Sequence, residues 1–390
     1  MTAPPVLTVN TGSSSLKVAL YAGERLVLAA EASGIGEGGR WRLEVDGRAH
    51  EEAATLPDHR AALARLSGLV SEQQIEPAAA GHRIVHGGPR HRVPERLTPA
   101  LLGELERLVA FAPDHLPQAI AAIRELETRF GPLPQVACFD TGFHRHMSAV
   151  AQRYALPRAL TDQGLARYGF HGLSYESIMA QLELLAPTLV RSRLLVAHLG
   201  HGSSMVAVKD GAALDTTMGF SPAGGLVMAT RPGDLDPGVC TYLLDQGFAP
   251  SALAELFARE SGMLAVSETT GDVRTLLARE ATDPRAAEAL ELFCYQATKC
   301  AGALAAVLGG LDALIFTGGI GEHAPSIRAR ITAGLSFLGA RLDPFRNAAA
   351  LAGTLISPPD SVAVWVMRTD ENRMIARHTA ALLAMKGSAP

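Results

Sequence analysis

Apolar positions along the chain fall into two patterns that alternate from end to end. Short β-branched runs are separated by longer Ala/Leu/Glu/Arg stretches with helical spacing, which predicts α/β layers. Strands are expected over Val6–Val9, Leu16–Tyr21 and Arg25–Ala30. Helices follow at about Asp58–Ser71, Pro99–Phe111 and Leu116–Phe130, and then a strand over Gln135–Phe139. The pattern then restarts. Arg193–His198 and Met205–Lys209 predict strands, and Pro237–Gln246, Ala252–Glu260 and Pro284–Gly309 predict helices. Ala313–Phe316 and Ala363–Val366 are late buried strands.

The restart has a residue-level echo. Gly12-Ser13-Ser14-Ser15-Leu16-Lys17-Val18-Ala19-Leu20 is answered by Gly200-His201-Gly202-Ser203-Ser204-Met205-Val206-Ala207-Val208, each between two strand-like runs. A duplicated strand–turn–strand unit predicts two similar halves across a cleft; two ordinary hairpins are the alternative. No linker separates the halves, so a hinge near Phe143–Met147 is expected.

Length and composition narrow the classes. A chain of 390 residues predicts two domains, and 48% hydrophobic against 19% charged residues supplies a large core. A net charge of −4 offers no basic stripe to nucleic acid or an anionic membrane. No run approaches the roughly 18 apolar residues of a membrane span, and no charged leader precedes the first strand. Cys138, Cys240, Cys294 and Cys300 lack zinc-like spacing and read as reduced thiols of a cytoplasmic protein.

Glycine-rich turns raise the question of phosphate. Asn10-Thr11-Gly12-Ser13-Ser14-Ser15-Leu16-Lys17 lies between two strands, where glycine lets backbone N–H groups approach an anion and the hydroxyls add donors. Lys17 is placed to face either a phosphate or solvent. The GxxxxGK[ST] pattern is absent, so this is not a P-loop. Gly34-Ile35-Gly36-Glu37-Gly38-Gly39 satisfies GxGxxG but leads into the strand-like run Arg40–Val45, and reads as a loop. Gly319-Ile320-Gly321-Glu322-His323-Ala324 follows a strand and opens a helix near Pro325–Gly334, a credible nucleotide contact. It lacks the leading βαβ unit of a nicotinamide dehydrogenase.

Polar clusters recur where strands end. They are His82-Arg83-Ile84-Val85-His86-Gly87-Gly88, Cys138-Phe139-Asp140-Thr141-Gly142-Phe143-His144, Arg167-Tyr168-Gly169-Phe170-His171-Gly172 and Thr230-Arg231-Pro232-Gly233-Asp234. His82 and His86 have the spacing of a helical metal pair, but the residues between them favour a strand and turn. Singly, each cluster is equally an ion-paired arginine, a satisfied core histidine or a capping aspartate.

Taken together with His198–Ser204, Phe316–Glu322 and Thr369-Asp370-Glu371-Asn372, these motifs resemble the acetate kinase family from about residue 6 to residue 380. The resemblance implies two duplicated α/β domains of the ribonuclease-H-like, actin/sugar-kinase type with an interdomain active site. These would be residues 1–145, completed by a C-terminal helix at 374–390, and 146–373. It implies ATP-dependent phosphorylation of a short-chain carboxylate, with acetate first and propionate next, and usually a homodimer. ATP/ADP would be co-substrate, with Mg²⁺ or Mn²⁺.

The resemblance further implies Asn10, Arg83, Asp140, His171, Arg231 and Glu371 at the reacting centre, with Asp140, Glu371 and Asn10 organising the metal. Val85, His115, Phe170 and Pro222 would line the substrate pocket with Arg83 and Arg231. Ser13, Ser15, Lys17 and His198, Gly200, His201, Gly202 and Ser203 would meet phosphates. Asp272, Arg274, Gly318, Gly319, Ile320 and Gly321 would meet the nucleoside. A carboxylic acid ordinarily titrates near pH ~4 and is ionised at pH 7, so such a reaction needs no general base, only relief of anion–anion repulsion.

Asp114 and Leu116 depart from the family pattern beside His115, as do His201, Pro232, Gly224 and the Asp370/Asn372 flanks of Glu371. Asp114 stands where an apolar pocket residue is expected, so acyl specificity is expected to shift. A non-enzymatic ATP-gated relative, which would not need the Arg83, Arg231 and His171 set, and a pyrophosphate-using variant, against which the Gly318–Gly321 turn and Asp272/Arg274 favour a nucleoside, are the remaining rivals.

Overall fold

The computed structural model of the chain describes residues 4–12, 15–36, 39–45, 47–72 and 75–384. It divides into two compact units. The first comprises Met1–Phe143, Gly172–Ser177 and Asp370–Pro390; the second comprises His144–His171 and Ile178–Thr369.

The first unit is built on β1 (Pro5–Thr11), β2 (Ser15–Ala22), β3 (Arg25–Ser33), β4 (Arg40–Val45), β5 (Arg48–Ala53), β6 (Ala79–Ile84), β7 (Glu95–Arg96) and β8 (Gln135–Phe139). They form one sheet in the order β5-β4-β3-β2-β1-β6-β8-β7. The first five are an antiparallel meander, while β1, β6 and β8 run parallel. Leu7, Val9, Leu16, Val18 and Leu20 pack with Leu63 and Leu66 of the helix His59–Glu72 and with Leu126 of Leu116–Phe130. On the opposite face Val6, Ala19 and Tyr21 meet Ala376 of the C-terminal helix Glu371–Ala384. That helix lies so close to β6 that a Cβ on Gly81 would sit 2.2 Å from the Thr379 hydroxyl. With both faces covered, β1 is buried from Val6 onward, so its apolar residues Val6, Leu7 and Val9 do not alternate with exposed ones.

The second unit repeats this frame. Its strands are β9 (Leu194–Leu199), β10 (Ser203–Lys209), β11 (Ala212–Thr216), β12 (Ala313–Thr317), β13 (Thr354–Leu355) and β14 (Ala363–Val366), in the order β11-β10-β9-β12-β14-β13. Here a three-strand antiparallel meander, in place of five, is followed by two parallel strands and an antiparallel edge. The sheet is backed by the 25-residue helix Pro284–Leu308, whose stripe Ala286, Ala289, Leu290, Phe293, Ala297, Ala301, Leu304 and Leu308 is buried. Asp283 caps its start, accepting from the Arg285 and Ala286 N–H groups, and Gly309 at φ 71° ends it.

Strand and helix expectations agree with the structure to within a few residues where periodicity is strong; Leu116–Phe130, Gln135–Phe139 and Ala363–Val366 match at both ends. In the 34–39 segment Gly34 and Gly36 lie in a turn with positive φ, and Gly39 directly precedes β4. The second glycine segment differs from expectation: Gly318–His323 is itself a short helix, and a second helix, Pro325–Ala333, follows. The strand β5, exposed at every position, escapes a search based on apolar runs. No helix among the described residues is long and apolar enough to cross a membrane.

His82 in β6 has a measurable consequence. It is 1% exposed, its Nε2 lies 2.6 Å from Gln135 Oε1, and its Nδ1 has no hydrogen-bond partner among the described residues. Burial lowers its pKa to about 4, the Gln135 bond only partly opposing. The unfolded chain therefore takes up this proton first: the contribution is complete above about pH 6.5 and is lost as pH falls towards about 4, by ~1.4 kcal/mol per unit. Urea midpoints should fall between pH 7.5 and 5.5, and His82→Gln should flatten that slope; an unchanged slope would contradict the assignment.

Candidate active site

In the first unit the carboxyl ends of the three adjacent parallel strands carry the chemistry, the usual place for ligands in open α/β sheets. Asn10 is the penultimate residue of β1, Arg83 lies in β6, and Asp140 directly follows β8. Arg83 donates through Nε and Nη2 to Asp140 Oδ2 at 2.9 and 2.6 Å, and through Nη1 to Asn10 Oδ1 at 3.0 Å. Asn10 Nδ2 in turn donates to Glu371 Oε2 at 2.7 Å, and Arg83 Nη1 lies 3.6 Å from that oxygen. One network thus joins residues 10, 83, 140 and 371.

Its charges do not balance. Two carboxylates face one guanidinium. Burial alone would depress Arg83, but Asp140 and Glu371 outweigh it and hold the group protonated. Burial pushes the Asp140 carboxyl up to about 6, Glu371 adding to the rise and Arg83 opposing it. Asp140 is fully buried, and among the described residues its Oδ1 has no hydrogen-bond partner. Among the described residues no cluster of three or more His, Cys, Asp or Glu is present. Two carboxylates, an amide and a spare buried oxygen suit a hard cation that keeps several waters.

The second unit gathers donors instead. His171 adopts φ 57°, ψ 27°, ahead of the helix Gly172–Leu185. Its Nδ1 lies 2.8 Å from Ser204 Oγ on β10, and its ring stacks on His198 of β9 with centroids 4.2 Å apart. Arg231 donates from Nη1 to Pro222 O at 3.0 Å. A Cβ placed on Gly202 would lie 3.5 Å from both Arg231 Nη1 and His171 Nε2. The glycine therefore keeps open a point on which two donors converge.

The backbone fixes this arrangement. Ala229 N donates to His201 O, and Met228 N to Arg231 O. Gly262, at φ 66°, would carry its Cβ within 2.8 Å of the Arg231 N and O atoms, so only glycine fits beneath the loop. Gly200 N lies 3.3 Å from Ser203 Oγ, and a Cβ on Gly200 would be 3.9 Å from Gly319 N. Gly318, at φ 77°, abuts Leu199 O. The turns 200–203 and 318–321 are thus neighbours, at the carboxyl ends of β9 and β12.

The other expected residues are placed as follows. Val85 is buried just past β6, and Phe170 is buried with its carbonyl accepting from His144 Nε2 at 3.0 Å. His115 is half-buried before the helix Leu116–Phe130, with Asp114 half-buried beside it and Leu116 buried. Gly12 N donates to Ser15 O, closing the first turn; Ser13 lies outside the described residues. Lys17 is exposed and faces Glu31 across the β2/β3 pair at 3.6 Å. Asp272 caps the helix Val273–Arg279 and pairs with exposed Arg274 at 2.7 Å, which lowers its pKa. Ile320 and Gly321 lie inside the short helix that Gly318 starts. Sequence reasoning did not single out Ser204 as a site residue, although it is His171's partner; its signal is a second hydroxyl after Gly202 in the echoed turn.

A family profile described as the acetokinase family matches residues 5–377. The chain belongs to that family. An acetate kinase of Nitrobacter hamburgensis is 43% identical over 98% of this chain and 97% of its own length, and one of Rhodopseudomonas palustris is 43% identical over 96% and 97%. Among solved structures, a propionate kinase from Francisella tularensis superposes with a TM-score of 0.89 at 33% identity, covering 97% of this chain and 99% of its own. Porphyromonas gingivalis acetate kinase gives 0.86 at 33%, covering 98% and 100%. The fold is that of the acetate and propionate kinases, with duplicated α/β halves.

The network's charge balance is testable. Arg83→Met leaves two carboxylates without their cation and should cost about 3 kcal/mol or more at pH 8. The loss should shrink at pH 5, where Asp140 takes up a proton. Urea denaturation at the two pH values measures this, and an unchanged midpoint at pH 8 would contradict the account.

Proposed function

We propose that the chain transfers the γ-phosphoryl group of ATP directly to the carboxylate of acetate, giving acetyl phosphate and ADP reversibly. The observation that carries the reading is the point beside Gly202 where Arg231 and His171 converge. In this reading His171 Nδ1, 2.8 Å from Ser204 Oγ, accepts from that hydroxyl, so that Nε2 bears the proton and donates to an equatorial phosphoryl oxygen. Arg231 adds a fixed positive charge, and the Gly200–Ser203 and Gly318–Gly321 turns hold the rest of the nucleotide. Asp272 and Arg274 border the nucleoside.

Arg83 is the carboxylate's partner. Its planar fork, already oriented by Asp140 and Asn10, neutralises the attacking anion, with Val85, Phe170, Pro222 and His115 bounding the acyl group. Asp140, Glu371 and Asn10 would hold Mg²⁺ or Mn²⁺, partly through water, and the cation supplies charge compensation on the phosphates. The nucleophile arrives ionised, so these residues align and neutralise and none abstracts a proton.

ATP-dependent hydroxamate formation from acetate and hydroxylamine tests the reaction, because hydroxylamine traps an acyl phosphate. Arg231→Ala and His171→Ala should each lower kcat by about a hundredfold to a thousandfold, as expected for lost transition-state donors. No hydroxamate from any short-chain acid would overturn the proposal. Propionate is the second reading, because Asp114 stands where an apolar pocket residue is expected and a solved propionate kinase is 33% identical to this chain; relative kcat/KM across formate, acetate, propionate and butyrate decides.

The chain is read as a cytoplasmic homodimer. Its four cysteines are free, in keeping with a reducing compartment. The helix Pro237–Asp245 buries none of its residues, and Leu235, Val239, Tyr242, Leu244 and Phe248 are exposed on and beside it, an apolar surface that a second copy would cover. Light scattering should give the mass of two chains, and Tyr242→Glu with Phe248→Glu should give one; a dimer indifferent to both changes would exclude this face.

A further inference from the structure

Arg328, in the helix Pro325–Ala333, is the largest side chain among the fully buried ones, at 1% exposure. A buried arginine ordinarily meets a carboxylate. Here, among the described residues, none lies within ion-pairing distance. The guanidinium is held by neutral oxygens. Nη1 donates to Gly321 O and Glu322 O, both at 2.9 Å, Nε to Asn347 Oδ1 at 2.8 Å, and Nη2 to Asn347 O at 2.7 Å. Asn347 Nδ2 donates to Pro325 O at 2.9 Å, tying the acceptor back to the start of the same helix. Burial accordingly lowers the guanidinium to about 10.

Stability alone gives no reason to bury an uncompensated cation, since an apolar side chain of similar volume would avoid the desolvation cost. What the cation does is local. Gly318–His323 is six residues long, too short to hold itself together, and its closing carbonyls have no intrahelical partners. Arg328 takes two of them, and its charge complements the negative end of that helix. The opposite end is set by Gly318, packed against Leu199 O at the end of β9.

We infer that Arg328 is a positioning residue for nucleotide binding, fixing the Gly318–Gly321 turn through the carbonyls of Gly321 and Glu322 with Asn347 as its anchor. The inference rests on the reading of that turn as a nucleotide contact. Arg328 touches no substrate; it acts by holding the turn's N–H groups in register with the Gly200–Ser203 turn.

The test follows a fluorescent trinitrophenyl-ATP by titration and, separately, KM for ATP, KM for acetate and kcat. Arg328→Met should raise the analogue's Kd and the KM for ATP about tenfold or more, the scale of a displaced contact, with KM for acetate moved less than about twofold. Arg328→Lys, keeping the charge and losing the fork, should fall between. Native-like circular dichroism with binding within about twofold of the parent would overturn the inference, as would equal rises in both KM values, which mark a merely structural role. Should Arg328→Met fail to fold, Asn347→Ala decides: about a threefold rise in Kd supports the role, and an unchanged value overturns it. A parent chain that does not bind the analogue overturns the nucleotide reading as well, whereas a parent that binds with indifferent variants overturns only the role of Arg328.

Discussion

The first unit's site depends on one compromise, a fully buried Asp140 carboxylate kept ionisable by a single guanidinium. Arg83 reaches it with two donors and spends a third on Asn10, which hands the network on to Glu371. Residues 10 and 371 are far apart in sequence, so the bond between them ties both ends of the chain to the same three strand ends. Packing does the rest: Gly81 admits the C-terminal helix against β6, and that contact brings Glu371 to the carboxyl edge of the sheet.

The same frame is used twice with opposite electrical results. In each unit an antiparallel meander leads into two parallel strands, and a serine opens the strand after the first turn. At the carboxyl ends of β1, β6 and β8 the sum of side-chain charges is negative, which suits a cation. At the ends of β9 and β12, two stacked histidines and Arg231 gather beside glycine turns, which suits an anion. Duplication supplied a geometry, and the residues set on the strand ends decide what each half attracts.

Much of this was legible in the sequence because it rests on local pattern. β1, β6, β8 and β9 are largely buried runs with polar residues near or just past their ends, among them Asn10, Arg83, Asp140 and His198. The resemblance named their company but not their bonds. That Arg83 serves Asp140, Asn10 and Glu371 at once depends on register between strands, which no spacing in the chain encodes. Lys17 shows the opposite limit: its position in β2 was clear, but its outward direction opposite Glu31 depends on β3 lying alongside. Arg328 was invisible, since a lone arginine in a helical pattern reads as a solvated face. The short helix Gly318–His323 was hidden by its glycines, which propensity assigns to a turn and tertiary contacts hold as a helix.

The departures around Arg231 can be read in the same physical terms. Asp234 binds the loop's two limbs, its Oδ1 accepting from Gly225 N at 2.7 Å and its N–H donating to Gly225 O at 3.0 Å. A Cβ on Gly224 would stand 3.2 Å from that same Oδ1. The glycine leaves that carboxylate room. Pro232 fits beside them. It restricts the unfolded chain next to Arg231 and needs no N–H partner, while Gly233, at φ 78°, turns the backbone back under Leu226. His201 meets the loop through its carbonyl, which accepts from Ala229 N, so the identity of its side chain is free to vary without releasing Arg231. These substitutions alter the surroundings of the guanidinium while keeping the backbone bonds that aim it.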